Sequence, residues 1–122
     1  MPDTLKGITV LDLTQNIAGP FCTQLLGDFG AEVIKVERPG SGDDARKWIP
    51  PAWAGVGTAF LAVNRNKKSV AIDLNTEAGR AAILRLAERC DVLVHSTRPG
   101  SLDKRGLGYE ALRAVNPKLV YC

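Results

Sequence analysis

Five short apolar runs, separated by turns and helix-like stretches, constrain this chain more than any other feature of its sequence. They are Ile8 to Leu13 (ITVLDL), Glu32 to Glu37 (EVIKVE), Ser69 to Leu74 (SVAIDL), Asp91 to His95 (DVLVH) and Lys118 to Cys122 (KLVYC). Each is short and rich in apolar or β-branched residues, as buried strands are. Phe21, Leu25, Leu26 and Phe29 fall at helical spacing in a stretch opened by Gly19-Pro20, and Gly30 ends it as a C-terminal cap. The clearest helix spans Glu77 to Arg89, with Asn75 or Thr76 as N-cap and Ala81, Ile83, Leu84, Leu86 and Ala87 in one stripe. Tyr109 to Val115 is a short helix stopped by Asn116-Pro117. Strands alternating with helices predict an α/β fold, a parallel sheet with helices packed on both faces.

Two segments depart from this alternation. Arg38 to Thr58 is rich in Gly, Pro, Asp and Trp, and so long a connection in a compact domain is more often functional than accidental. The last apolar run reaches the final residue, where alternation calls for another helix. Residues 1–122 therefore read as one unit, the first part of a larger domain.

Composition narrows the function classes. A chain of 122 residues with 45% hydrophobic and 24% charged residues reads as a globular domain. No apolar run approaches the roughly 20 residues of a membrane span, and the N-terminus lacks a secretory pattern, so a cytoplasmic location is expected. A net charge of +3 is too small to suggest nucleic acid and is compatible with a small anionic ligand. Three widely spaced cysteines and one histidine fit neither a disulfide framework nor a metal site. Cys22 and Cys90 read as small buried hydrophobes.

The chemistry-bearing residues cluster just past strand ends, where open α/β sheets bind ligands. After the first strand, Ala18 and Gly19 are small enough for a ligand to approach the backbone, and a helix N-terminus there attracts anions. A plain turn with proline at the first helical position would look the same. No G-x-G-x-x-G accompanies it. Arg38 follows the second strand, where a guanidinium could stack on adenine or grip a phosphate, or simply be solvated. Asn64-Arg65-Asn66-Lys67-Lys68 suits phosphates, or an ordinary solubilising loop. His95, with no acidic partner identifiable from sequence, reads as a strand-end histidine rather than a base.

Taken in order, these segments resemble the family III CoA-transferases, the group containing formyl-CoA transferase and carnitine CoA-transferase. The similarity runs through Leu5-x-Gly7-x-x-Val10-Leu11-Asp12, Ala18-Gly19-Pro20 and Gly27-x-x-Gly30-Ala31-Glu32-Val33-Ile34-Lys35-Val36-Glu37. It continues through Gly40-x-Gly42-Asp43, Asn64-x-Asn66-Lys67, Asp73-Leu74, Asp91-Val92-Leu93-Val94, Arg98-Pro99-Gly100 and Asn116-Pro117-x-Leu119-Val120-Tyr121. The resemblance implies a Rossmann-like core in an interlocked homodimer, and transfer of CoA from an acyl-CoA to a carboxylic acid through intermediates on one aspartate. That aspartate is expected beyond residue 122, so no catalytic residue is assigned and the chain alone is expected to be inactive. No metal is implied.

The resemblance carries CoA contacts to Ala18, Arg38, Ile72, Asp73, Leu74, Asn75, Ser96, Thr97, Arg98 and Lys104. Two departures bear on the acyl group: Ile17 stands where formyl-CoA transferase has glutamine, and His95-Ser96-Thr97 replace the usual Glu-Asn-Phe before Arg98-Pro99-Gly100. α-Methylacyl-CoA racemases share the fold, but the long Trp48-to-Asn64 connection fits the transferases better. A non-catalytic CoA- or nucleotide-binding fragment is the remaining alternative.

Overall fold

The computed structural model describes residues 3–122. Strands β1 (Thr9–Leu13), β2 (Glu32–Glu37), β5 (Lys67–Ala71), β6 (Val92–His95) and β7 (Val120–Tyr121) form one sheet in the order β5-β2-β1-β6-β7. Every neighbouring pair in it is parallel. The chain winds outward from β1 first to one side and later to the other, so the strand order reverses between β1 and β6. In a doubly wound sheet this reversal opens a crevice at the carboxyl ends of the strands.

Helices cover both faces, as the alternation predicts. Helix α3 (Glu77–Ala87) and helix α4 (Tyr109–Val115) pack on one face over Leu11, Leu13, Val36 and Leu93, with Ile83, Ala87 and Leu112 fully buried. Thr76 caps α3, its hydroxyl accepting from the Gly79 N–H at 3.0 Å. Helix α1 (Ala18–Asp28) covers the other face. Its C-terminus closes as expected on Gly30, at φ 101°. There the Ala31 N–H bonds Leu26 O at 3.1 Å and the Gly30 N–H bonds Gly27 O at 3.0 Å, a pairing that needs a left-handed residue.

Three sequence expectations change. The third sheet strand runs Lys67–Ala71 rather than Ser69 to Leu74, because Lys67 is drawn into the sheet opposite Val33 while Ile72 to Leu74 turn out into the loop. The long connection is partly ordered: a 3-10 turn at Asp44–Lys47, a hairpin of β3 (Ala52–Trp53) and β4 (Val56–Gly57), and helix α2 (Thr58–Ala62). Finally, α1 starts at Ala18, which puts Pro20 at the third helical position, and the helix presents its polar side to the sheet. Pro20, Thr23, Gln24 and Asp28 are buried, whereas Phe21 is 49% exposed and Leu25, Phe29 and Cys22 are also exposed. Cys90 is buried as anticipated; Cys22 is not.

The reason for this inversion lies in the sheet. Alternation along β1, β2 and β5 points Asp12, Lys35 and Lys67 toward α1. Lys67 Nζ lies 3.0 Å from Asp12 Oδ2 and also donates to Pro20 O at 2.8 Å and Asn64 Oδ1 at 2.9 Å. Asp12 accepts further from the Thr14 N–H at 2.8 Å and from the Thr23 hydroxyl at 2.7 Å. Burial pulls the Lys67 ammonium below its usual pKa, and the Asp12 carboxylate opposes that pull. A buried charge survives only when paired and hydrogen-bonded, so the helix above must bring polar groups. An apolar stripe on α1 would leave these ions unsatisfied.

Removing one partner of a buried ion pair typically costs about 3–5 kcal/mol. Lys67→Met, which keeps the aliphatic stem, is expected to lower the unfolding free energy by about that amount. Urea denaturation measures it, and a loss below about 1 kcal/mol would place the pair among those of little worth.

Candidate functional site

At the carboxyl ends of β1, β2, β5 and β6 lies a cleft of about 210 Å³ lined by Gln15, Arg38, Asp73, Leu74, Asn75, Thr97, Ser101, Leu102 and Arg105. It continues into a narrower recess of about 60 Å³ formed by Leu13, Val36, Glu37 and Ile72 together with Gln15, Arg38, Leu74 and Thr97. The cleft sits beside the switch point, where the Gln15 N–H donates to Ser96 Oγ at 3.2 Å and joins the loops after β1 and β6.

Local sequence explains each wall. Asp73 turns the chain out of β5, its carboxylate accepting from the Asn75 N–H at 2.9 Å, which delivers Asn75 to the cleft just before the α3 cap. Arg38 emerges from the end of β2 and folds back on Gly42 O, 3.3 Å from Nη2, and on the Asp44 carboxylate. That pair is half exposed, so Arg38 can exchange Asp44 for an incoming anion at little cost. Across the cleft, Arg105 donates from Nη1 to Ser101 O at 3.0 Å and to Ser101 Oγ at 2.8 Å. Its Nη2 donates to Asn75 Oδ1 at 3.3 Å. Two guanidinium groups thus face an otherwise apolar floor of Leu13, Val36, Ile72 and Leu74. Arginine forks suit phosphate oxygens and planar rings, and the floor suits an apolar ring or chain.

Beneath Arg38 the chain is pinned by a second polar cluster. Glu37 accepts from Arg46 twice, at 2.7 and 2.8 Å, from the Ser69 hydroxyl at 2.7 Å and from the Asp43 N–H at 2.9 Å. Burial alone would raise the Glu37 pKa, but the Arg46 guanidinium, the Ser69 hydroxyl and the Asp43 amide outweigh it and hold the carboxyl at about 2. Arg46 also lies over the Phe60 ring, 3.8 Å from its centroid, which joins the long connection to this cluster.

Of the residues singled out in the sequence, Arg38, Ile72, Asp73, Leu74, Asn75 and Thr97 come together in the cleft and its recess. Ser96 stands at its rim through the bond to Gln15. Ala18 is exposed at the start of α1, and Arg98 and Lys104 are exposed outside the cleft lining. Gly19 is small for an internal reason: a Cβ there would meet the Thr14 side chain at 2.4 Å. Gln15, Ser101 and Arg105 were missed by the sequence reading. Arg105 follows Lys104 directly, and the 3-10 turn at Asp103–Arg105 decides which of the two basic side chains turns inward. No group of three or more potential metal ligands occurs among the described residues, and no described helix is long and apolar enough to cross a membrane.

An open parallel sheet whose strand order reverses between β1 and β6, with an arginine-flanked cleft beside that reversal, defines a doubly wound α/β fold. The particular family follows from comparison with known proteins. Residues 5–122 match the family model described as CoA-transferase family III, and the chain belongs to that family. It is 52% identical over 118 residues to succinyl-CoA:glutarate CoA-transferase of Mus musculus, covering 97% of this chain and 27% of that protein. It is 49% identical over 121 residues to succinyl-CoA:mesaconate CoA-transferase of Haloarcula hispanica, covering 96% of this chain and 30% of that protein. The crystal structure of a CAIB/BAIF family protein from Brucella suis superposes with a TM-score of 0.94 at 44% identity, over 100% of this chain and 33% of that one. The chain therefore spans about a third or less of the length of these relatives.

The Glu37 carboxyl gives a pH signature. Its folded pKa of about 2 lies below its ordinary value of 4.5, so its stabilising contribution is complete above about pH 4.5 and fades as pH falls toward 2. Glu37→Gln should be less stable than the wild type at neutral pH, and the gap should close across that window. Denaturation midpoints measured from pH 7 downward test this, and a gap independent of pH would contradict it.

Proposed function

We propose that this chain is the CoA-binding, N-terminal part of an enzyme that moves CoA from an acyl-CoA thioester to a carboxylic acid acceptor. The observation that carries the reading is the convergence of Arg38 and Arg105 on one apolar-floored cleft, in a chain of the CoA-transferase family III. CoA presents a flat adenine, several phosphate groups and a slender acyl-bearing arm. Arg38 stacks on the adenine or forms charge-assisted hydrogen bonds to phosphate once it leaves Asp44. Asp73 to Asn75, Ser96 and Thr97 offer polar groups from the neighbouring strand ends, and Arg98 and Lys104 add charge at the periphery. No step in this reading requires a metal.

The nucleophilic aspartate of the reaction, in this reading, belongs to a part of the full-length protein beyond residue 122. This chain's own residues bind and orient the coenzyme, and the full-length protein is an interlocked homodimer. Two of the relatives described above are named as transferases between succinyl-CoA and a dicarboxylic acid, which supports transfer over racemisation and suggests dicarboxylates as the acceptors to try first.

Calorimetric titration of CoA into the full-length protein tests the site. Arg38→Ala is expected to weaken binding roughly tenfold or more, since its stacking and phosphate contacts are each worth about 1–3 kcal/mol. Lys104→Ala should lose less, because a solvated lysine supplies only a point charge. Equal losses, or none for Arg38→Ala, would move the site elsewhere.

A further inference from the structure

His95 is a sequence feature that the CoA reading does not use. It ends β6 opposite Leu13 and faces away from α1, toward the side of the sheet that carries α3 and α4. Its ring does not line the cleft; Thr97, two residues on, lines both the cleft and the recess. His95 Nδ1 is 3.3 Å from the Thr97 backbone nitrogen and 2.9 Å from Thr97 Oγ1. A backbone N–H can only donate, so Nδ1 is the acceptor nitrogen and the ring proton sits on Nε2. The same unprotonated nitrogen then faces both donors of Thr97 and closes a tight turn at the start of the loop.

We infer that His95 is a positioning residue, whose unprotonated Nδ1 holds the Thr97 backbone amide in the wall of the coenzyme cleft and releases that amide when the ring takes up a second proton. The inference rests on the reading of the cleft as a CoA site. Once protonated, Nδ1 becomes a donor facing the Thr97 N–H, so the amide contact turns from a hydrogen bond into a repulsion. The groups packed on the ring favour the neutral form. The Tyr121 ring from β7 lies 5.2 Å away, with the Tyr109 ring from α4 a further 5.7 Å behind it. Asp103, on the turn that carries Arg105, is a charge that favours the imidazolium. Burial outweighs it and holds the His95 pKa below 6.5, while Tyr121 is pushed above its usual value and stays neutral throughout this range. Near neutral pH, Thr97 is therefore held in place.

Two measurements on the full-length protein test the inference separately from the CoA reading. The first uses NMR without ligand: the Thr97 amide resonance should shift with pH along the titration of the His95 ring, with a midpoint below 6.5. A Thr97 amide indifferent to that titration overturns the inference whatever CoA does. The second is calorimetric titration of CoA at about pH 8 and about pH 5, on either side of the ordinary histidine range. His95→Leu should bind roughly fivefold more weakly at the higher pH, the loss of one part-buried hydrogen bond. His95→Asn, which keeps an acceptor near Nδ1 but has no titrating ring, should recover most of that loss and weaken less on acidification than the wild type. CoA's own phosphates titrate in the same range but identically for every variant, so the comparison between variants isolates the ring. Parallel pH profiles for wild type and His95→Asn, or an unimpaired His95→Leu, overturn the inference. A Thr97 amide that follows His95 in a protein that does not bind CoA would uphold the positioning role and sink the CoA reading instead.

Discussion

The strand ends depend on one buried ammonium. Lys35 is 1% exposed, and its Nζ lies 2.9 Å from Thr14 O at the end of β1 and 2.9 Å from Asp43 Oδ2 in the loop after β2. The contact with Asp43 is an ion pair out of line for a hydrogen bond, so Thr14 O and the charge of Asp43 together hold the ammonium. Asp43 is in turn fixed through Oδ1, which accepts from the Asn16 N–H at 3.1 Å and the Ala45 N–H at 3.0 Å. A buried lysine without partners would cost several kcal/mol, so the two loops cannot drift apart without exposing it to that penalty. Gln15 and Arg38, both in the cleft lining, leave the sheet beside this knot. The chain spends its buried charges on holding loops in register rather than on chemistry.

This division explains what could be read from the sequence. Local patterns decide strands and helices, and the alternation of apolar runs was enough to give the parallel sheet and the covering of both faces. Lys35 and Lys67 were invisible as core residues because nothing local distinguishes a buried lysine from a solvated one. Their partners, Asp43 and Asp12, are 8 and 55 residues away. The same blindness affected α1. Phe21, Leu25 and Phe29 carry a helical repeat that spacing alone would turn inward, but the ions of the sheet require Thr23 there instead.

The site was legible to the same degree. Arg38, which follows a strand directly, is placed by the sheet and could be read from its position, whereas Ile72 to Asn75 were named by the family resemblance, since the sequence pattern put Ile72 to Leu74 inside the strand. Residues presented by a short turn could not: whether Lys104 or Arg105 faces the cleft depends on about 120 degrees of rotation, which the 3-10 turn sets. Gln15 escaped notice because its role is shared between its side chain, in the cleft wall, and its backbone N–H, bound to Ser96.

We propose that coenzyme A lies across the carboxyl ends of β1, β2, β5 and β6. A crystal structure of the full-length protein with bound CoA tests it most directly. The adenosine end of the coenzyme is expected against Arg38 and the segment from Asp73 to Asn75, with the Arg38 guanidinium turned away from Asp44 and Thr97 still bound to His95. CoA density elsewhere, with Arg38 still paired to Asp44 in a vacant cleft, would contradict it.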